Sequence, residues 1–108
     1  MARIGILTDT TNCLPSELIK QYGISVVPVG LVLNGKIYRD QFEIMPAEFW
    51  EKFKKLEEMP GTSAPSPGEF EIAFADLSKR ADSIICILVS KILSATQESA
   101  MLDRKTFL

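Results

Sequence analysis

An α/β fold with a mainly parallel sheet is predicted for this chain of 108 residues. Three observations predict it. Apolar, β-branched runs at 3–7, 24–33 and 83–89 alternate with stretches of helical periodicity. Pro15, Pro46 and Pro67 each suit the first turn of a helix, where a missing N–H costs nothing. The run 83–89 is almost wholly apolar, as strands covered on both faces of a parallel sheet are. Strands that alternate with helices in this way pair in parallel through right-handed crossovers.

The first strand runs from Arg3 to Leu7 and ends at the turn Thr8-Asp9-Thr10-Thr11-Asn12. Leu14, Leu18, Ile19 and Tyr22 give the next helix its apolar stripe, and Gly23 terminates it. Ile24 to Leu33 is a strand broken by Pro28 and Gly30. Proline has no N–H for a ladder, so this strand belongs at an edge or carries a bulge. Asn34-Gly35 is a hairpin signal that pairs Leu31–Leu33 with Lys36–Tyr38. The helix from Pro46 places Phe49, Phe53 and Leu56 on one face. Its other face is solvated and carries the pairs Glu48–Lys52 and Glu51–Lys55, and Met59-Pro60-Gly61 stops it. Ser66-Pro67-Gly68-Glu69 is a capping box, followed by Phe70, Ala73, Phe74 and Leu77 at helical spacing. Ser83 to Val89 reads as a buried strand. Ser94-Ala95-Thr96-Gln97 is a second capping box, opening a helix that still runs at Lys105-Thr106-Phe107-Leu108. Trp50 and the phenylalanines are expected in the core.

Composition excludes several functions. A net charge of −2, with cations scattered among acids, leaves no basic footprint for nucleic acid. No apolar run reaches bilayer-spanning length, and Met1-Ala2-Arg3-Ile4 opens into a strand rather than a signal peptide. A cytoplasmic protein without integral membrane association is therefore expected. The sequence has no His, which removes Ser-His and Cys-His nucleophiles and most zinc sites. Neither a catalytic residue nor a metal site is expected. Cys13 and Cys86 lie far apart without a CxxC pattern and read as two buried free thiols.

Two hydroxyl-rich loops carry the functional signal. Thr62-Ser63-Ala64-Pro65-Ser66-Pro67 and Ser90-Lys91-Ile92-Leu93-Ser94-Ala95-Thr96 each lead into a helix. A helix N-terminus offers unpaired N–H groups and partial positive charge, so it favours a carboxylate or phosphate. Asp9 and Ser90 lie just past strand ends, where open α/β sheets bind ligands. Ser66 and Ser94 also fit as helix caps, whereas Thr62 and Ser63 precede the capping position and are otherwise ordinary loop hydroxyls. Thr10 and Thr11 follow Asp9 where a phosphotransferase or metal site would need a second carboxylate. Asp9 therefore reads as structural, bonding its own turn or the hydroxyl loops.

The segments Ile6-Leu7-Thr8-Asp9-Thr10-Thr11 with Leu14-Pro15, Ile24 to Pro28, Tyr38-Arg39-Asp40, Thr62 to Phe70 and Ser90 to Thr96 carry a resemblance. In that order they resemble the N-terminal part of DegV proteins, a family of bacterial fatty-acid-binding proteins. The resemblance implies a three-layer α/β sandwich and a long-chain fatty acid as ligand, with no cofactor. It implies a tunnel for the acyl chain, which Phe70 or Phe74 would line, and a carboxylate gripped directly by Thr62 and Ser94. Ser63 and Thr96 would stand beside them, with Asp9, Ser90 and Lys91 in support. It further implies a fatty-acid kinase as partner, which phosphorylates the presented carboxylate. Ala95 stands where the family prefers Gly, and Lys91 where it often has Ser. Residues 1–108 are expected to form one domain, without the family's second domain and the tunnel wall it supplies. A homo-oligomer that rebuilds the wall is the corresponding expectation. A second reading is an interaction or remnant domain that oligomerises without its own ligand, and a phosphate-handling transferase is a third.

Overall fold

Two three-stranded sheets organise residues 3–104, those that this computed structural model describes. The first is parallel and has the order β2-β1-β6, with β1 (Ile4–Asp9) between β2 (Ser25–Val27) and β6 (Ser83–Ile87). The second is antiparallel, with β3 (Gly30–Leu33) between β4 (Lys36–Arg39) and β5 (Gly61–Ser63). The class is α/β with a parallel sheet, as expected. The difference lies at 24–33, where one broken strand becomes two strands in different sheets. Pro28 is buried just past β2 and has no N–H to continue the ladder. The Val29 N–H donates instead to Thr10 Oγ1 at 3.1 Å, and the chain turns away into β3.

Four α-helices accompany the sheets among the described residues: α1 (Ser16–Gln21), α2 (Pro46–Phe53), α3 (Pro67–Ser78) and α4 (Thr96–Arg104). Helix α3 begins with the expected capping box. The Glu69 N–H donates to Ser66 Oγ and the Ser66 N–H to Glu69 Oε2, each at 3.3 Å. One face of α3 packs on all three parallel strands and on α4. Leu7, Val27, Phe70, Phe74, Leu77 and Ala100 form the core there. Asn34 and Gly35 both have positive φ, 48° and 78°, as the two central residues of a type I′ hairpin turn must. Leu33 accordingly pairs with Lys36.

Apolar spacing misplaces several side chains. Helix α1 buries none of its residues, and Leu14, Leu18 and Tyr22 are exposed. Helix α2 stops at Phe53, before Leu56, and Trp50 is 57% exposed. Trp50 packs edge-on to Phe49 and Phe53, with ring centroids 4.9 and 5.4 Å apart, so these rings shield one another rather than join the core. Glu51 pairs with Lys54 at 3.6 Å, one residue short of the expected Lys55. Strand β6 ends at Ile87 and is an edge strand, which leaves Ile85 and Ile87 exposed rather than buried. Cys13 and Cys86 are free thiols, as expected, but both are exposed. Cys86 sits on that open edge strand and Cys13 in the loop after β1. The expected helical run at Lys105-Thr106-Phe107-Leu108 and the start at Met1-Ala2 lie outside the described residues.

Candidate functional site

The carboxyl end of β1 is the best-anchored polar feature of the described structure. Thr8, Asp9 and Thr10 are all buried. Asp9 caps a single 3-10 turn over Thr10–Asn12. Its Oδ1 accepts from the Thr11 N–H at 2.8 Å and from the Thr11 hydroxyl, while Oδ2 accepts from the Val89 N–H at 3.2 Å. Thr8 Oγ1 donates to the Ile87 carbonyl at 2.7 Å. Thr10 faces the other sheet. Its hydroxyl accepts from Val29 N–H at 3.1 Å and hydrogen-bonds Asp40, and its carbonyl accepts from Gln41 Nε2 at 3.1 Å. Gln41 reaches it from a left-handed backbone, φ 63°. Asp9 therefore has the structural bonding that its sequence context indicates.

The two hydroxyl segments flank this turn. Thr62 and Ser63 belong to strand β5, not to a loop, because Gly61–Ser63 completes the ladder with β3. Thr62 is exposed and pairs with Leu31, and Ser63 is half-buried and pairs with Gly30. A Cβ at Gly30 would overlap Ser63 Oγ outright, so the hydroxyl lies directly against the glycine backbone. On the other flank, Ser90 accepts from the N–H groups of Leu93 (2.9 Å) and Ser94 (3.1 Å), one residue beyond Val89. Ser94 Oγ lies 2.8 Å from Thr96 Oγ1 and accepts from Thr96 N–H at 3.1 Å. Helix α4 starts at Thr96, so Ser94 caps from two residues back rather than through the expected box with Gln97. Thr96 is fully buried and Ser94 half-buried, whereas Ser90 and Lys91 are exposed.

An open groove of about 1100 Å³ runs along β6 and is floored by Phe74, Ile84 and Ala100. Ser90 and Lys91 stand on its wall. Thr62, Ser63, Ser94 and Thr96 do not line it, and of the two phenylalanines only Phe74 does, Phe70 being sealed in the core. The structure thus joins Ser94 to Thr96, Ser63 to Gly30, and Ser90 and Lys91 to the groove. Thr10, Gly30 and Gln41 are not among the site residues that the sequence singles out. Position directly after a strand singles out Thr10, and no local signal singles out the other two. Among the described residues, no group of three or more His, Cys, Asp or Glu is placed to hold a metal ion, and no helix is long and apolar enough to cross a membrane.

Burial raises the Asp40 carboxyl above its ordinary value, against hydrogen bonds from Thr10 and Gln41 that lower it. The fold thus favours the protonated form. A raised folded pKa gives a contribution that is full below the unfolded value, near 3.8, and is lost as pH rises through the folded value. Asp40→Asn removes that loss. The urea midpoint of the variant relative to wild type will therefore climb as pH rises from 3.5 to 7, and a constant difference would refute the assignment.

Comparison with known proteins agrees with this architecture. The family model described as "Uncharacterised protein, DegV family" matches residues 3–107. A DegV domain-containing protein of Caldanaerobacter subterraneus is 40% identical over 104 residues, 96% of this chain and 37% of the relative. Protein DegV of Bacillus subtilis is 35% identical over 97 residues, 90% of this chain and 34% of that protein. The chain therefore spans little more than a third of the length of these relatives. Among solved structures, a DegV family protein from Thermus thermophilus, described for its fatty acid binding, superposes with TM-score 0.86 at 38% identity. It is matched over 97% of this chain and 38% of its own. The structure of DegV from Bacillus subtilis, described as a fatty acid binding protein, gives TM-score 0.90 at 32% identity, over 98% of this chain and 38% of its own. On the strength of the family match across nearly its whole length, the chain is a member of the DegV family.

Proposed function

We propose that this chain is a fatty-acid-binding module whose hydroxyl groups hold the acyl carboxylate for presentation to a fatty-acid kinase. It is a cytoplasmic carrier, and the chemistry belongs to the kinase. Thr62 and Ser94 are the direct carboxylate ligands, Ser63 and Thr96 stand beside them, and Asp9, Ser90 and Lys91 give support. The observation that carries the reading is that adjacent residues of one buried turn bond beside both segments: Asp9 holds Val89, which precedes Ser90, and Thr10 holds Val29, which precedes Gly30, the ladder partner of Ser63. The fatty acid binding described for the similar Thermus and Bacillus proteins supports the same ligand.

Magnitudes assign the roles. Burying an acyl chain is worth about 0.8 kcal/mol per CH₂, whereas each hydrogen bond to a charged group nets about 1.5–3 kcal/mol. Burial of the acyl chain supplies affinity and the hydroxyls supply orientation. Because the groove is open, a bound chain keeps one side in water and binds less tightly than in a closed tunnel. Denaturing mass spectrometry of the purified protein is expected to release a long-chain fatty acid. Thr62→Ala with Ser94→Ala is expected to weaken fatty-acid binding about a hundredfold, the loss of two such bonds at about 1.5 kcal/mol each. Unchanged affinity would remove these hydroxyls from the site.

The second reading, an interaction domain that oligomerises without a ligand, is favoured by one observation. Ile85 and Ile87 on β6, and Ile92 and Leu93 in the segment after it, are all exposed, and exposed apolar surface marks association sites. Light scattering after size exclusion separates the readings: a monomer that releases fatty acid supports the carrier, and a ligand-free dimer supports the alternative.

A further inference from the structure

We infer that Asp9 and Thr10 are positioning residues that jointly set the placement of the two hydroxyl segments; the consequence for a ligand rests on the carrier reading above. The two side chains point into different halves of the molecule. Asp9 Oδ2 takes the N–H of Val89, and the next residue, Ser90, anchors the Leu93 and Ser94 amides. Ser94 in turn holds Thr96. Thr10 Oγ1 takes the N–H of Val29, and the next residue, Gly30, receives Ser63 against its backbone. The Ser90 segment is thus one residue from a side-chain bond to this turn, and the ladder partner of Ser63 is one residue from another. Among the described residues the parallel and antiparallel sheets share no ladder, so these bonds replace a ladder in fixing one segment against the other. Both anchors are almost completely buried, Asp9 at 1% exposure and Thr10 at 3%. Neither side chain has to touch a ligand to act.

The test has two arms. In the first, the affinity of palmitic acid is compared with that of its alcohol, which shares the chain but not the carboxylate. Wild type is expected to prefer the acid about tenfold or more, the factor that one bond to a charged group supplies. Thr10→Val keeps the β-branched shape and removes the hydroxyl. It is expected to bring the ratio near one while alcohol affinity holds, and Thr10→Ser is expected to restore it. An undiminished ratio in Thr10→Val overturns the inference. A wild type without acid preference overturns the carboxylate reading instead, and the second arm then decides the inference alone. That arm measures amide hydrogen exchange in the free protein. Thr10→Val is expected to speed exchange in 61–63. Asp9→Asn, which puts an amide donor where one of the two carboxylate oxygens accepted, is expected to speed exchange in 90–94. Amides of α3 should be unchanged in both. Uniform acceleration, or none, overturns the inference. Asp9→Asn keeps the test available if Thr10→Val does not fold.

Discussion

Phe70→Ala will cost about 3–5 kcal/mol, the range for an aromatic side chain removed from a closed core. Phe70 is completely buried on α3, and its ring lies 6.1 Å from that of Phe74. The cluster it joins draws on β1, β2, α3 and α4, so the cavity would open where four elements meet. Domains of this size are stable by about 5–15 kcal/mol, and the variant would lose a large part of that. Trp50→Ala is the control. The ring is larger but 57% exposed on α2, and the cost should be less than half as great. Urea denaturation of both variants checks the contrast, and equal losses would mean that α2 packs more tightly than described here.

Gly30→Ala is expected to destabilise by about 1–3 kcal/mol through overpacking. The new methyl would overlap Ser63 Oγ and press Ile37 Cγ2 at 3.0 Å, so β5 must move away from β3. Ser63→Ala removes the first clash and leaves the second, together with a 3.4 Å approach of Ser63 Cβ. The double variant should therefore recover part of the loss, and a double-mutant cycle should give a coupling of about 0.5–3 kcal/mol. Strict additivity would show that glycine is not required by the serine. The same displacement would carry Thr62, the residue beside Ser63, out of place.

Local chemistry explains what the sequence revealed. The Ser66 to Glu69 box, the Asn34-Gly35 turn and the alternation of β1, α1 and β2 depend on neighbours within a few residues, so each could be read from the chain and each is present. The resemblance carried by the Thr62 and Ser90 segments likewise led to the DegV family. Apolar spacing could not separate Phe70, whose helix packs on three strands, from Phe49, Trp50 and Phe53, which pack on one another. Nor could it show that β6 is an edge, because edge position depends on which strands pair far away in sequence. Pro28 was legible as a disturbance but not as the border between two sheets. The fit of Ser63 on Gly30 joins residues 33 positions apart, and no local pattern encodes it.

The boundary at Pro28 has a mechanical consequence. On one side lies a sheet backed by a helix and a packed interior; on the other lies a short antiparallel sheet with few buried apolar residues, chiefly Val29, Leu33 and Ile44. Two such halves should breathe at different temperatures, the antiparallel sheet first. A guest that bridges them would raise the weaker half's melting toward that of the stronger.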